Sequence, residues 1–341
     1  MKRRGTTLLV GAILLAVLSL LFARVPVPYV ELEPGPTVNT LGTSDGHDVI
    51  KITGVPTSTS AGQLRLVTVQ VAPEISIGEA IRGWFQHDYA VVPRELIYPP
   101  DQTEQQVDQQ NAEDFKQSQN SAETAALRAL HYPVQVTVTQ LVANAAAQGH
   151  LEPGDVITSV DGEQVTSAQK LADLVRAKPV GSALAIGYTR DGAPATTTIT
   201  TGAGENGKPA LGVQVEQKQP HPFEISFDLD KIGGPSAGLM FALGIIDKID
   251  PTDLTGGIVV AGTGTIDDDG VVGPIGGVPQ KMIGAREAGA TVFLTPADNC
   301  AEAVANAVPG LRLVKVSSLD DALNALKALR EHREPAPCTG K

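Results

Sequence analysis

Lys231-Ile232-Gly233-Gly234-Pro235-Ser236-Ala237-Gly238-Leu239-Met240 is the stretch from which the rest of the chain is best read. A single hydroxyl, Ser236, stands among three glycines and a proline. Before it, Pro222-Phe223-Glu224-Ile225-Ser226-Phe227-Asp228-Leu229 alternates apolar and polar residues, the period of a half-buried strand. After it, residues 239–249 are almost wholly apolar and free of proline, which predicts a buried helix. Ser236 is therefore expected where a loop enters a helix. Unpaired N–H groups at such a helix start can hold an oxyanion. Small flanking residues let a substrate carbonyl approach closely.

A serine hydroxyl needs a base to become a nucleophile. Downstream lies Val272-Gly273-Pro274-Ile275-Gly276-Gly277-Val278-Pro279-Gln280-Lys281, then the strand-like Ala290-Thr291-Val292-Phe293-Leu294. Lys281 opens a helical run with apolar Met282, Ile283 and Ala285. Gly-Pro-Ser-Ala-Gly, then Gly-Gly-x-x-x-Lys, then Thr295-Pro296 and Asn299 occur in an order that resembles the proteolytic domain of Lon-type (S16) serine peptidases. The resemblance covers roughly residues 222–300. It implies a Ser–Lys dyad with Ser236 as nucleophile and Lys281 as general base. It also implies that Thr263 helps hold the lysine, and that Gly234, Pro235 and Ala237 shape the oxyanion loop. One departure stands out: cytosolic Lon enzymes often carry an acidic residue three before the serine, and here that position is Gly233.

The 341 residues allow two or three domains, and a hydrophobic fraction of 42% is ordinary for a globular chain. The formal charge is −12; the first 24 residues hold four basic and no acidic side chains, so the remainder carries −16. That opposes nucleic-acid binding, which needs basic surface. Lys2-Arg3-Arg4 precedes 18 uncharged residues, Thr6 to Ala23, just long enough to span a bilayer. The charge step places the N-terminus in the cytoplasm and everything after Arg24 outside, a single-pass cell-membrane protein with an extracytoplasmic catalytic part. A cleaved signal peptide is the alternative, although Leu21-Phe22-Ala23 makes a poor cleavage site.

Residues 25–41, rich in proline and glycine, are expected to form an extended stalk. Residues 49–52 and 63–71 read as strands, the second alternating well. In Lon-like folds the first strands of the peptidase sheet precede the serine motif, so 63–71 is expected there, with the later residues inserted between. Residues 76–85 read as a helix with Trp84 and Phe85 in the core. Residues 101–120, rich in Gln, Asp and Glu, read as a solvated helix or mobile linker.

Residues 123–204 carry a strand at 134–138, then Leu151-Glu152-Pro153-Gly154-Asp155-Val156-Ile157-Thr158-Ser159-Val160-Asp161-Gly162, a helix at 167–177 and strands at 184–189 and 195–200. The Leu-x-Pro-Gly-Asp-x-Ile-x-x-Val-Asp-Gly pattern resembles a PDZ domain. That implies capture of a peptide C-terminus as an added strand, or else a structural spacer. The usual Gly-Leu-Gly-Phe-like loop is absent. Tyr132, Pro133 and Val134 stand near the expected place and are the candidate peptide-binding residues.

After Lys281 come a helix, the strand at 290–294, a helix from Ala297, a strand at 311–316 and a last amphipathic helix near 319–333 capped by Ser318. Residues 335–341 read as a loose tail. Cys300 and Cys338 can form a disulfide outside the membrane, or remain two thiols. Three other motifs read blandly. The G-x-S-x-G match at Ser236 would need a later histidine, and the one available, His332, lies in a charged terminal helix. Gly202 to Lys208 imitates a phosphate loop but continues with Pro209. Asp267-Asp268-Asp269-Gly270 reads as a hairpin turn, not a calcium loop. Asn299 fits either the family position or a helix cap.

The expected architecture is α+β and α/β. It runs from a cytoplasmic tip and transmembrane helix (1–24), through stalk and N-terminal strands (25–122), a β-rich PDZ-like module (123–204) and a Lon-type α/β domain (205–334), to a tail (335–341). The expected activity is ATP-independent endopeptidase cleavage of peptides or unfolded extracytoplasmic proteins, with neither metal nor cofactor. Lon-like domains often form rings, so a homo-oligomer is implied. The rival is an inactive PDZ scaffold that binds exported chains.

Overall fold

The computed structural model describes residues 2–86, 88–143, 145–204, 207–229 and 232–340, excepting side chains at 2–5, 21 and 23. The motif's Lys231, the basic side chains of Lys2, Arg3 and Arg4, and Glu205 and Asn206 of the Gly202–Lys208 loop lie outside that description. The chain divides into two compact units. One comprises Met1–Ile52, Pro56–Ala122 and Ile225–Lys341; the other comprises Thr53–Val55 and Glu123–Glu224.

The first unit is built on a six-stranded sheet ordered Arg312–Val316, Val292–Pro296, Val259–Gly262, Gln63–Ala72, Tyr29–Asn39, Ala90–Pro93. The first four strands are mutually parallel and the last two join antiparallel. Val292–Pro296 is buried along its whole length, as a continuous apolar run in a parallel sheet should be. Helix Gly238–Ile249 is apolar almost all round, and its residues 238–247 are all buried. Helix Val278–Glu287 lays Val278, Met282 and Ala285 into a core with Val67, Ala261 and Phe293.

Four sequence expectations change here. First, the proline-rich 25–41 stretch is not a free stalk. Pro26–Val27 pairs with Ile75–Ser76, and Tyr29–Asn39 is a sheet strand. Its register shifts between Pro34 and Thr37, so the prolines sit at an irregularity that spares the ladder their missing N–H. Second, Trp84 and Phe85 are 60% and 81% exposed. Helix Ile77–Phe85 packs through Ala80 and Gly83, where a Cβ on Gly83 would stand 2.6 Å from Val91, and this turns 84 and 85 outward. Third, of the two readings of 101–120 the helix holds and the mobile linker does not, but the helix is not solvated all round. Helix Glu104–Ala129 buries Val107, Phe115, Ser118 and Ala122 on one face, and the Phe115 ring meets Phe241 edge-on at 5.6 Å. Fourth, the tail is docked. Lys315 N–H donates to Ala336 O (2.9 Å), Cys338 N–H donates to Leu313 O (3.1 Å), and Cys300 and Cys338 are joined by a disulfide.

The N-terminal helix is Lys2–Arg24, and its described large apolar side chains from Leu8 to Leu20 are exposed. Among the described residues, no helix is long and apolar enough to cross a membrane.

The second unit is an antiparallel sheet ordered Ala193–Thr200, Ala183–Arg190, Val156–Val160, Gln135–Leu141, Val213–Lys218, with helix Ala168–Arg176 packed on it. Its core includes Val136, Val138, Ile157, Leu171, Leu184, Ile186 and Ile199. Asp155 of the Pro-Gly-Asp turn is 1% exposed and receives the Arg190 guanidinium at both oxygens (2.7 and 2.8 Å). Those bonds hold its carboxyl below the ordinary range. Val213–Lys218 completes the sheet, so this unit runs to Glu224 rather than to the 204 expected from the motif.

Candidate active site

Gly234 turns the chain with φ +85°, a conformation few residues other than glycine adopt. A single 3-10 turn, Pro235–Ala237, follows and feeds straight into helix Gly238–Ile249. Ser236 stands half-buried in that turn, at the helix start. Its carbonyl is clamped from two sides: Gly264 N–H donates to it at 2.9 Å and Thr263 Oγ1 at 3.0 Å. Thr263 follows directly after strand Val259–Gly262, so the sheet fixes the serine backbone.

Lys281 lies in the first turn of helix Val278–Glu287, entered through Gly277 in the left-handed region. Its side chain is 5% exposed, and burial among apolar neighbours lowers its amine from the ordinary 10.5 to about 8. Nζ donates to Thr263 Oγ1 at 3.4 Å, a long hydrogen bond. Among the described residues no carboxylate pairs with this amine. One threonine hydroxyl thus touches both the lysine amine and the serine carbonyl. Asn299, which could have been a helix cap, instead grips the loop before the lysine helix. Its Oδ1 accepts from Ile275 N–H (2.9 Å) and its Nδ2 donates to Ile275 O (3.0 Å).

Ser236, Ala237, Gly276, Gly277 and Lys281 border one groove of about 430 Å³. Its apolar wall comes from Leu32, Leu66, Val71, Ile97 and Ile232. Gly234 and Pro235 serve otherwise than as oxyanion donors. Gly234 N–H donates to Asn111 O (2.8 Å), and proline has no N–H to offer. Pro235 O accepts from Ser118 Oγ at 3.0 Å. Asn111 and Ser118, both on helix Glu104–Ala129, therefore support the serine loop from behind, and the sequence reading missed them. A helical spacing of buried residues at 107, 115, 118 and 122 was the available signal, masked by the surrounding Gln and Asp. His332 is exposed and does not line the groove, and Asp267–Gly270 closes the hairpin Thr265–Ile266 to Val272–Gly273. Among the described residues no group of His, Cys, Asp or Glu is arranged to hold a metal.

In the second unit, Tyr132, Pro133 and Val134 do not line the described groove. Tyr132 packs edge-on against Phe223 (5.5 Å) and Val134 lies against the core. The groove runs instead between helix Ala168–Arg176 and residues 209–215, walled by Leu171, Val175, Leu211 and Val213. Gly212 (φ +73°) makes the turn into Val213–Lys218, the last strand of its sheet. Ala210-Leu211-Gly212-Val213 is the sequence signal that was overlooked, because it lies past the expected module boundary.

Two stretches of the chain match known protein families. Residues 106–201 match the sequence model of the PDZ domain, and residues 230–328 that of the Lon protease (S16) C-terminal proteolytic domain. Lon protease 1 of Sorangium cellulosum is 36% identical over 107 residues, covering 30% of this chain and 13% of that protein. Lon protease 2 of Bacillus subtilis is 36% identical over 97 residues, covering 28% and 17% respectively. The chain thus spans less than a fifth of the length of these curated relatives. The solved PDZ domain of the SdrC-like protein from Listeria monocytogenes is 27% identical, with a TM-score of 0.23, covering 24% of this chain and 85% of that one. The chain carries a PDZ domain followed by a Lon-type (S16) proteolytic domain.

Proposed function

We propose that the chain is a membrane-anchored, ATP-independent endopeptidase that cuts loose or unfolded segments of extracytoplasmic proteins with a Ser236–Lys281 dyad. The observation that carries this reading is the buried Lys281 amine, brought to about 8 in the groove it shares with Ser236. A neutral lysine can take the Ser236 proton; an ordinary one near neutral pH cannot. Thr263 orients the amine. Ser236 Oγ attacks the scissile carbonyl, and the oxyanion turns toward the Ala237 N–H at the helix start. The lysine ammonium gives its proton to the leaving amine, then the neutral amine activates water to release the acyl group.

The substrate has a natural track. Strand Gln63–Ala72 pairs with Val259–Gly262 only over residues 63–66, and residues 67–71 line the groove beyond. An extended peptide added there would run past Ser236 and Lys281. In the PDZ unit, a peptide C-terminus would add to Val213–Lys218 beside helix Ala168–Arg176. The anchor is assigned to Lys2–Arg24 on the uncharged run of its sequence, with the rest of the chain outside the cell membrane. The membrane and unfolded polypeptide are the proposed partners.

Hydrolysis of an unfolded protein such as casein, or of a fluorogenic peptide, tests the reading. Wild type should cut without ATP or metal, while Ser236→Ala and Lys281→Ala stay folded and inactive. An equally active Ser236→Ala protein rejects the dyad.

A further inference from the structure

The chain has one tryptophan, and it is exposed. Trp84 (60%), Phe85 (81%) and Ile81 (37%) stand at i+3, i+4 and i on helix Ile77–Phe85, so they share one face. The adjoining face, Ala80 and Gly83, is buried. A short helix with one apolar face packed and a second bare is a poor design for a surface that meets only water.

What lies beside it identifies the occupant. The helix begins where the N-terminal apolar helix ends. Ile77 N–H donates to Val25 O (3.2 Å), Pro26–Val27 pairs with Ile75–Ser76, and the Phe22 ring lies against Gly78, 2.8 Å from where a Cβ would stand. The bare face therefore continues from the C-terminal end of Lys2–Arg24. We propose that Ile81, Trp84 and Phe85 seat in the lipid–water interface beside that end of the anchor, and so hold the catalytic groove close to the membrane surface. The proposal rests on the reading of Lys2–Arg24 as a membrane anchor.

Aromatic rings at headgroup depth are a common device of membrane proteins. The helix itself carries one acid, Glu79, and one base, Arg82, with no cluster of Lys or Arg. Seating therefore depends on apolar burial rather than on anionic lipid. The consequence for catalysis follows from the strand geometry. The Trp84 ring meets Tyr29 edge-on at 6.2 Å, and Tyr29 opens the strand whose Leu32 and Pro36 line the groove. At roughly 3.3 Å per residue, Pro36 lies no more than about 23 Å along the strand from Tyr29. Chains still lying at the membrane surface would then be the substrates within reach.

The test uses full-length protein in phosphatidylcholine vesicles, with Trp84 as its own reporter. Phosphatidylcholine labelled with doxyl at acyl carbon 5 should quench Trp84 more strongly than the carbon-12 label. Aqueous iodide should quench it about threefold less than N-acetyltryptophanamide, as expected for a ring at the interface. Full iodide quenching without lipid quenching overturns the proposal. Protection from iodide without lipid quenching also overturns it, and assigns the face to a second protein copy. A Leu14→Trp reporter in a Trp84→Phe background separates the two readings. If the carbon-12 label quenches it while Trp84 goes unquenched in the parent, only the aromatic face is wrong. If the Leu14→Trp reporter is not quenched by lipid, the anchor reading falls and the proposal with it.

Discussion

Replacing Lys281 by methionine, and following both proteins across pH, tests the base at its physical root. Burial brings the amine from 10.5 to about 8, which corresponds to about 3 kcal/mol against the charged form. With that value, about one molecule in eleven carries a neutral amine at pH 7, half at pH 8 and about ten in eleven at pH 9. The kcat/KM of the wild type on a fluorogenic peptide should therefore rise about fivefold from pH 7 to 8, less than twofold from 8 to 9, and then level. An unburied lysine would instead give about tenfold per pH unit up to pH 10. The same burial sets the stability. Between pH 8 and 10.5 the unfolded chain keeps the Lys281 proton and the folded chain releases it, so stability rises with pH across that window. Below pH 8 both states are protonated and the whole burial cost is present. Lys281→Met should be inactive and more stable than wild type at pH 7, by up to about 3 kcal/mol, with the advantage fading toward pH 10.5. Initial rates from pH 6 to 10, and denaturant melts at pH 7 and 10, read both effects. A wild-type rate climbing tenfold per unit to pH 10 would refute the reasoning, as would an equal stability gain at the two pH values.

Thr263→Val removes the hydroxyl shared by Lys281 Nζ and Ser236 O, and should lower kcat about tenfold with KM nearly unchanged, while Thr263→Ser retains most turnover; a KM-only defect in steady-state assays would count against a role at the dyad. Ser118→Ala frees the Pro235 carbonyl from the supporting helix, so it should cost about 1 kcal/mol in denaturant melts and reduce kcat as well. Turnover unchanged in that variant would show that the helix supports the fold but not the serine loop. Cys300→Ser opens the link to Cys338 across a separation of 38 residues, and should cost up to about 4 kcal/mol with greater protease sensitivity of the tail. Identical melting with and without reductant would refute that contribution.

The catalytic grouping is legible in the amino-acid sequence because its parts are local. Gly234-Pro235-Ser236-Ala237-Gly238 encodes a turn into a helix within five residues, and Gly276-Gly277 before Lys281 encodes the next helix start. Backbone conformation of that kind depends on residue type, so it can be read from the chain alone. The PDZ turns at Pro153-Gly154-Asp155 and Asp161-Gly162 are legible for the same reason.

Pairing and facing had to be decided by tertiary structure. Leu64 lies beside Val260 across an inserted module, and nothing in either segment names its partner. The alternation of residues 63–71 announces a strand but not that its far half lines the groove. The polar run after residue 101 hides one buried face, and the aromatic pair at 84–85 is turned out because Gly83 takes the inner position against Val91. Above all, the sequence supplies a lysine, while only the packed environment makes it a base. Desolvation belongs to the surroundings assembled in space, and Val67, Ala261 and Phe293 reach the lysine helix from three different strands.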